Sequence, residues 1–121
     1  CIIKHINVPV NTQDIDKVVD LFLEKITDKT KVISFTHISN ITGFRLPAQE
    51  ICQAIKAKHG QVHIHVDGAQ TWGLMDVDLD AMGCDTFSGS SHKWYMVRRG
   101  IGLCVVRQES ISCCSWDEIG P

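Results

Sequence analysis

The sequence has no apolar run close to the roughly 20 residues that a membrane-spanning helix requires, so no integral membrane protein is expected. It also has no excess of either charge, since 12 Lys and Arg stand against 14 Asp and Glu, for a net charge of −2. Nucleic acids and anionic membranes are bound through basic patches, so neither is expected as a partner. The first ten residues lack the charged and then apolar order of a signal peptide.

Cys-X-X-Cys spacing is absent, although the chain has six cysteines. Four of them stand alone, mostly in apolar segments, and two are adjacent: Cys1, Cys52, Cys84, Cys104, Cys113 and Cys114. This arrangement suggests no disulfide framework and predicts buried free thiols in a reducing compartment. A cytoplasmic location is therefore expected.

Repeats, low-complexity tracts and linkers are absent as well, and 121 residues suffice for one domain of ordinary size. The chain begins without Met inside a strand-like segment and stops without an evident terminal element. We expect residues 1–121 to be a single partial domain of a longer protein.

The hydrophobic pattern alternates between strand and helix periods. It predicts a strand over 2–10, a helix over 13–26 capped by Asn11 or Thr12, a strand over 31–37, a helix from Pro47 to Gly60, a strand over 61–67, a helical turn near 78–82, and strands over 84–90 and 100–106. Such alternation is typical of an α/β domain with a mostly parallel sheet and helices on both faces, a three-layer architecture. The last two strands are too close for a sure parallel crossover, so a mixed sheet is expected.

Three polar segments follow predicted strands, at 37–43, 67–70 and 88–94. In open α/β sheets, ligands bind beyond the carboxyl ends of the strands. His63, His65 and Asp67 alternate along one of these strands and would share a face, which permits a metal-dependent hydrolase. No second cluster of ligands accompanies them, and the other interpretation is of partly packed, hydrogen-bonded strand histidines. The sequence therefore predicts no metal ligands.

Asp67 ends an apolar strand, where an unpaired carboxylate is costly to bury. Lys93 follows another strand through small residues and precedes Trp94, so burial there would lower the pKa of its amine and make it nucleophilic. Pyridoxal phosphate (PLP) requires this pair, because a lysine holds it as a Schiff base and a carboxylate keeps its pyridine nitrogen protonated.

Three motifs in order, ISFTHISNITGFRLP, VDGAQTWG and SGSSHKW, make residues 2–107 resemble the class V aminotransferase family. The resemblance implies the large domain of PLP fold type I, an amino acid or related amine as substrate, and a homodimer. Matching positions imply Lys93 as the Schiff-base lysine and Asp67 as the pyridine-nitrogen partner. They also imply Gln70 and Asn40 near the phenolic oxygen of the ring, and Ser90 and His92 as phosphate ligands.

The family's phosphate loop and its small domain with a carboxylate-binding Arg have no counterpart in these residues. Desulfurases of the family need a mobile Cys, whereas Cys104 lies in a predicted strand. The GFRLP and HKW variants favour the epimerase-like branch over the desulfurases. Transamination, epimerisation and elimination all stay open, and so does a non-catalytic remnant of the fold. The isolated 121 residues are expected to be inactive.

Overall fold

A computed structural model describes residues 2–98 and 100–113. The elements in chain order are α1 (Ile15–Leu23), β1 (Val32–Thr36), α2 (Ala48–Lys58), β2 (His63–Asp67), α3 (Leu79–Met82), β3 (Thr86–Ser90), β4 (Gly102–Val106) and a 3-10 helix (Gln108–Cys113). The α/β class is confirmed. No helix among these residues is long and apolar enough to cross a membrane.

The four strands form one sheet in the order β1-β2-β3-β4. The first three strands are parallel and β4 is antiparallel to β3, so the expected mixed sheet is confirmed. The connections that contain α2 and α3 are long enough to return the chain for parallel pairing. Residues 91–101, between β3 and β4, are fewer than the dozen or more that a parallel crossover needs.

The core lies between one face of the sheet and the helices α1 and α2. Val18 and Phe22 come from the apolar stripe of α1, and the Phe22 ring meets the edge of Phe35 with centroids 5.1 Å apart. Ile64 and Val66 of β2 are fully buried on the same side. Each such side chain contributes about 1.5–3 kcal/mol by leaving water, so this face fixes the position of the strands.

The opposite face of the sheet is polar and only partly covered. Thr36, His63, His65, Asp67 and Ser88 alternate with the core residues and are half-buried or exposed. The described helices all belong to one layer, since α2 contacts both α1 and α3. Flanking helices are therefore present, while the third layer of the predicted architecture is not formed by the residues that the structure describes.

Two local predictions are wrong. Residues 2–9 form no strand, because no described segment pairs with them, although Ile6 and Val8 pack against the core. Helix α1 spans Ile15–Leu23 rather than 13–26, and its N-cap is Asp14, whose side chain accepts a hydrogen bond from the Lys17 N–H at 3.0 Å. A carboxylate is as good an N-cap as Asn and better than Thr, and it also favours the positive end of the helix dipole.

The prediction of free thiols is confirmed for the cysteines that the structure describes. Cys52 and Cys84 are buried and unbridged, and Cys104 is free but exposed. Burial raises the pKa of Cys52 to about 12 and also raises the pKa of Cys84, so both behave as small core residues. Cys1, Cys114 and the side chain of Cys113 lie outside the described residues.

Candidate functional site

Three parallel strands end at one edge of the sheet, where the last residues of β1 and β2 are in register and β3 extends two residues further. Asp67 of β2 pairs with Thr36 of β1 and with Ser88 of β3. Register partners project to the same face, and Ser90 lies on that face two residues further along β3. The acid-bearing strand and the strand that leads to Lys93 are therefore neighbours, with Asp67 and Ser90 on one face of one edge.

Asp67 leads into a tight turn that also carries Gln70. Its carboxylate Oδ1 accepts a hydrogen bond from the Ala69 N–H at 2.9 Å, and the side chain is half-buried rather than buried. Gly68 closes the turn, because its carbonyl accepts hydrogen bonds from the N–H groups of Thr71 and Trp72, both at 2.8 Å. A Cβ at position 68 would overlap the Phe87 ring, so this close approach requires glycine.

Lys93 lies in the irregular turn 91–97 that follows β3. The turn is closed by weak backbone hydrogen bonds, from Val97 N–H to Ser91 O at 3.2 Å and from Met96 N–H to Lys93 O at 3.3 Å. Lys93 is half-buried, and its amine forms no ion pair with another described residue. Ser90, immediately before the turn, is half-buried, whereas His92 is exposed.

Asn40 lies in the loop that follows β1, at the same edge. The loop is ordered by Ser39, whose Oγ accepts hydrogen bonds from the N–H groups of Ile41 at 3.3 Å and Thr42 at 3.2 Å. Asn40 is exposed and its side chain makes no hydrogen bond within residues 2–98 and 100–113. The topology places it at the edge that Asp67 and Ser90 share, but no contact joins it to them.

The two histidines of β2 bind a neighbouring strand. His65 Nδ1 lies 2.8 Å and His63 Nε2 lies 3.1 Å from the Thr86 hydroxyl, and His65 Nε2 lies 3.4 Å from Ser88 Oγ. This confirms the interpretation as partly packed, hydrogen-bonded strand histidines. In the described part of the chain, no group of three or more His, Cys, Asp or Glu side chains is placed to hold a metal. The hydrolase alternative has no support in this geometry.

Unsatisfied buried polar atoms collect at the same edge. Among the described residues, the buried side-chain atoms without a hydrogen-bond partner are His37 Nδ1, after β1, and Thr71 Oγ1, after β2. Burial lowers the pKa of His37, and the nearby Arg45 lowers it further, so the ring is neutral. Buried polar groups are usually paired, so each orphan marks a place where a ligand or further chain would complete the bonding. The His37 atom lies on the helical side of this edge, away from the face that carries Asp67.

A cavity of about 440 Å³ opens on the helical side of this edge. It is lined by His37, Arg45 and the N-terminal residues of α1 and α2, and by none of the six residues that the sequence predicted for the site. The predicted site is thus an open surface at the strand ends, separate from this cavity.

Two aromatic residues that the sequence analysis passed over connect the halves of the site. Trp72, in the turn after Asp67, packs at a 49° tilt against Tyr95, two residues after Lys93, with ring centroids 5.7 Å apart. The sequence feature that could have indicated this contact is the glycine at positions 73 and 89. A Cβ at position 73 would collide with the Tyr95 ring, and a Cβ at position 89 would crowd Trp72.

The family model described as Aminotransferase class-V matches residues 3–117. The chain belongs to the class V aminotransferase family. The resemblance inferred from its motifs is therefore confirmed.

Curated relatives carry two different activities. An isopenicillin N epimerase of Amycolatopsis lactamdurans is 38% identical over 88 residues, which is 73% of this chain and 22% of the relative. A cysteine desulfurase of Synechococcus elongatus is 37% identical over 90 residues, which is 74% of this chain and 14% of the relative. The match thus spans 14% to 22% of the length of these two relatives.

Solved structures confirm fold type I. A cysteine desulfurase of Thermococcus onnurineus NA1, in its apo form, superimposes with a TM-score of 0.73 at 24% identity, over 90% of this chain and 26% of that one. SspA in complex with cysteine superimposes with a TM-score of 0.66 at 30% identity, over 78% of this chain and 25% of that one. Another neighbour, a C-DES mutant with glycine covalently linked to its PLP cofactor, superimposes with a TM-score of 0.72 at 24% identity, over 78% of this chain and 25% of that one, and shares the fold.

Proposed function

We propose that this chain supplies the pyridoxal-phosphate-binding centre of an enzyme that acts on an amino acid or a related amine. The observation that supports it most is the position of an acid and an amine at one edge of the sheet. Asp67 ends β2, and Lys93 follows the neighbouring parallel strand β3 by three residues. Carboxyl ends of parallel strands are where α/β sheets bind ligands.

The residues at this edge fit a cofactor with a ring, a phosphate and a carbonyl. Asp67 has one oxygen engaged by the Ala69 N–H and the other without a hydrogen bond in the described residues. Lys93, Gln70 and Ser90 are half-buried with side chains that no described residue binds. Together with the orphan hydroxyl of the fully buried Thr71, the edge offers an acid, an amine and several neutral polar groups that are not paired internally.

Each of these residues has a defined task in the proposal. When bound, pyridoxal phosphate supplies a cationic ring that withdraws electrons from the α-carbon of an amine substrate. The Asp67 carboxylate would keep the proton on the pyridine nitrogen, and Gln70 and Asn40 would donate hydrogen bonds to the phenolic oxygen. Ser90 and His92 would bind the phosphate, for which hydroxyl and imidazole N–H groups are suitable donors.

Lys93 has two tasks in this proposal. Its Nζ would hold the cofactor covalently, and its amine would act as the general base that accepts the α-proton of the substrate. Removal of the α-proton is common to epimerisation, transamination and elimination. The identity of the substrate then depends on residues outside this chain's edge of the sheet.

An amino acid is the proposed substrate class because the relatives are named for isopenicillin N epimerisation and cysteine desulfuration, and SspA holds cysteine. Cys104 does not supply a mobile nucleophile, because it is held in β4 opposite Ser88. A homodimer in the cytoplasm is also proposed, following the family and the free thiols.

The test is covalent trapping of the cofactor. The whole protein is incubated with pyridoxal phosphate, reduced with borohydride and mapped by peptide mass spectrometry. The expected adduct is on Lys93 and is lost in Lys93→Ala, while the matched variant of an exposed lysine, Lys58→Ala, keeps it. An unmodified Lys93 in the wild-type protein would overturn the proposal and favour a remnant of the fold without cofactor.

A further inference from the structure

We propose that Trp72, Gly73 and Tyr95 form an aromatic clamp that positions Lys93 relative to Asp67. The meaning of this clamp for a reaction rests on the proposed function, but its existence rests on packing alone. Trp72 follows Gln70 by two residues, and Tyr95 follows Lys93 by two residues. The clamp therefore joins the turn that carries the acid to the turn that carries the amine.

The first contact of the clamp is between Tyr95 and the backbone of Gly73. Gly73 has φ +84°, and a Cβ built there would lie 2.6 Å from Tyr95 Cδ2 and 2.8 Å from Cε2. The ring thus covers the glycine at a distance that leaves no room for any side chain. Its other neighbour is Trp72, at 5.7 Å between ring centroids and a 49° tilt, within the range of favourable aromatic pairs.

The second contact fixes Trp72 to the sheet. A Cβ built at Gly89 of β3 would lie 3.0 Å from both Cβ and Cγ of Trp72. Gly89 immediately precedes Ser90, the last residue of β3. Trp72 is therefore packed between the strand that leads to Lys93 and the Tyr95 ring beyond it.

Among the described residues, few other contacts hold the turn that carries Lys93. Its backbone hydrogen bonds are 3.2 to 3.3 Å long, and Met96 has a left-handed φ of +53° that is unfavourable for a side chain with a Cβ. The side chains of Trp94, Tyr95 and Met96 are 48%, 54% and 88% exposed, so Tyr95 meets the other described residues only through the part of its ring that contacts Trp72 and Gly73. A lysine on a loosely bonded turn samples many positions, so contact of Tyr95 with Trp72 and Gly73 is what restricts it.

Two glycine variants separate the clamp from ordinary backbone strain. Gly73→Ala and Gly83→Ala both place a side chain at a positive φ, +84° and +78°, but only position 73 lies beneath a ring, since nothing lies within 4 Å of a Cβ at position 83. Hydrogen exchange of the 91–97 backbone is followed by mass spectrometry in the whole protein. We expect exchange about tenfold faster in Gly73→Ala than in Gly83→Ala, because this ratio corresponds to the free energy of one lost aromatic contact.

Tyr95 variants supply the matched test. Tyr95→Ala is expected to accelerate exchange of 91–97 as Gly73→Ala does, and Tyr95→Phe to leave it at the wild-type rate because the ring is kept. In the Tyr95→Ala background the ring is already absent, so adding Gly73→Ala should accelerate exchange no more than adding Gly83→Ala does. Equal exchange rates in Gly73→Ala and Gly83→Ala would overturn the clamp.

The positioning role has its own measurement. The concentration of pyridoxal phosphate for half-maximal borohydride trapping on Lys93 should rise about tenfold in Gly73→Ala and Tyr95→Ala, and Tyr95→Phe should restore the wild-type value. Faster exchange with unchanged trapping would overturn the positioning role. Absence of trapping in the wild-type protein would instead overturn the proposed function, and the exchange rates would still decide whether the clamp exists.

Discussion

Two carboxylates on neighbouring strands show how differently the two edges of this sheet are built. Asp85 comes just before the amino end of β3, and Asp67 is at the carboxyl end of β2. Asp85 Oδ2 accepts from Lys56 Nζ and from the Ile64 N–H, both at 2.7 Å, and Oδ1 accepts from Ser110 Oγ at 3.0 Å. Within residues 2–98 and 100–113, Asp67 accepts a single side-chain hydrogen bond, from the Ala69 N–H.

At the amino ends of the strands (the amino edge) the described polar groups bind one another, whereas at the carboxyl ends (the carboxyl edge) some are left without a partner among the described residues. Near Asp85, Arg107 donates to the carbonyls of Cys84 and Leu79, so the polar groups there bind one another. The orphan atoms of His37 and Thr71 are both at the carboxyl edge. Polar groups without a hydrogen-bond partner in the protein are characteristic of functional sites, where a ligand supplies the partner. One carboxylate is therefore bound within the fold, and the other keeps an oxygen that no described residue binds.

The sharpest way to test this contrast is to neutralise Asp67. In Asp67→Asn the amide oxygen still accepts from the Ala69 N–H, so the free energy of unfolding should change by less than about 0.5 kcal/mol. Turnover of the amino-acid substrate should fall about 10²- to 10³-fold, the size of a lost preorganised charge. Steady-state kinetics and urea unfolding of the whole protein measure the two effects. A loss of stability in place of a loss of turnover would make Asp67 a structural residue.

The reciprocal change at the amino edge should affect stability. Asp85→Asn removes the ion pair with Lys56 and weakens the bond to the Ile64 N–H, at a cost of about 2–3 kcal/mol. The cost is below that of a fully buried pair, because the Lys56 side chain is 29% exposed and also donates to the Val62 carbonyl at 3.0 Å. The measurement is urea unfolding.

Asp28→Asn is the control for that experiment, since Asp28 is exposed and makes no side-chain hydrogen bond within the described residues. It should leave the unfolding midpoint unchanged. The double variant Lys56→Met with Asp85→Asn should recover part of the loss, because it removes both charges. Equal effects of Asp85→Asn and Asp28→Asn would show that the network contributes nothing.

The elements near the site could be predicted from the sequence because two independent signals agreed there. The strand before Asp67 has an apolar residue at every second position, which predicts a strand with one polar face. It is followed by a Gly-Ala-Gln turn, which predicts where the strand ends. The motif around Lys93 placed the lysine after a strand, and the structure ends β3 at Ser90. The site residues themselves remain predictions, since geometry brings Asp67 and Ser90 to one edge without showing a bound ligand.

Features that depend on contacts between distant parts of the chain could not be predicted from the sequence. The segment 2–10 has strand periodicity, but periodicity does not supply a neighbouring strand, and no described residue pairs with it. The bond of Asp85 to Lys56 joins residues 29 positions apart and leaves no local pattern. The Trp72 and Tyr95 contact was missed for the same reason, because it depends on how two turns meet.

The smallest expected effect concerns the two histidines with lowered pKa values. Burial lowers the pKa of His65, with a smaller contribution from His63, while Asp67 opposes the shift. Burial and Arg45 lower the pKa of His37. A histidine with a lowered pKa binds fewer protons in the folded state than in the unfolded state. Its contribution to stability is therefore complete above the ordinary pKa of 6.5 and is lost as the pH falls below it.

Unfolding free energies measured by urea between pH 7 and pH 5 should therefore decrease, with a slope of at most about 1.4 kcal/mol per pH unit for each histidine. His65→Gln keeps a polar group opposite Thr86 and should flatten the slope, and His37→Gln should flatten it separately. His37 follows β1 at the carboxyl edge, whereas His65 lies in the middle of β2 and binds Thr86 at the amino end of β3, so the part of the slope due to His37 measures how much the carboxyl edge costs the fold. The Asp85 network does not contribute in this range, because its hydrogen bonds outweigh burial and hold the pKa of Asp85 below 3.8. A slope that neither variant changes would mean that the two edges do not differ in the way their hydrogen bonds indicate.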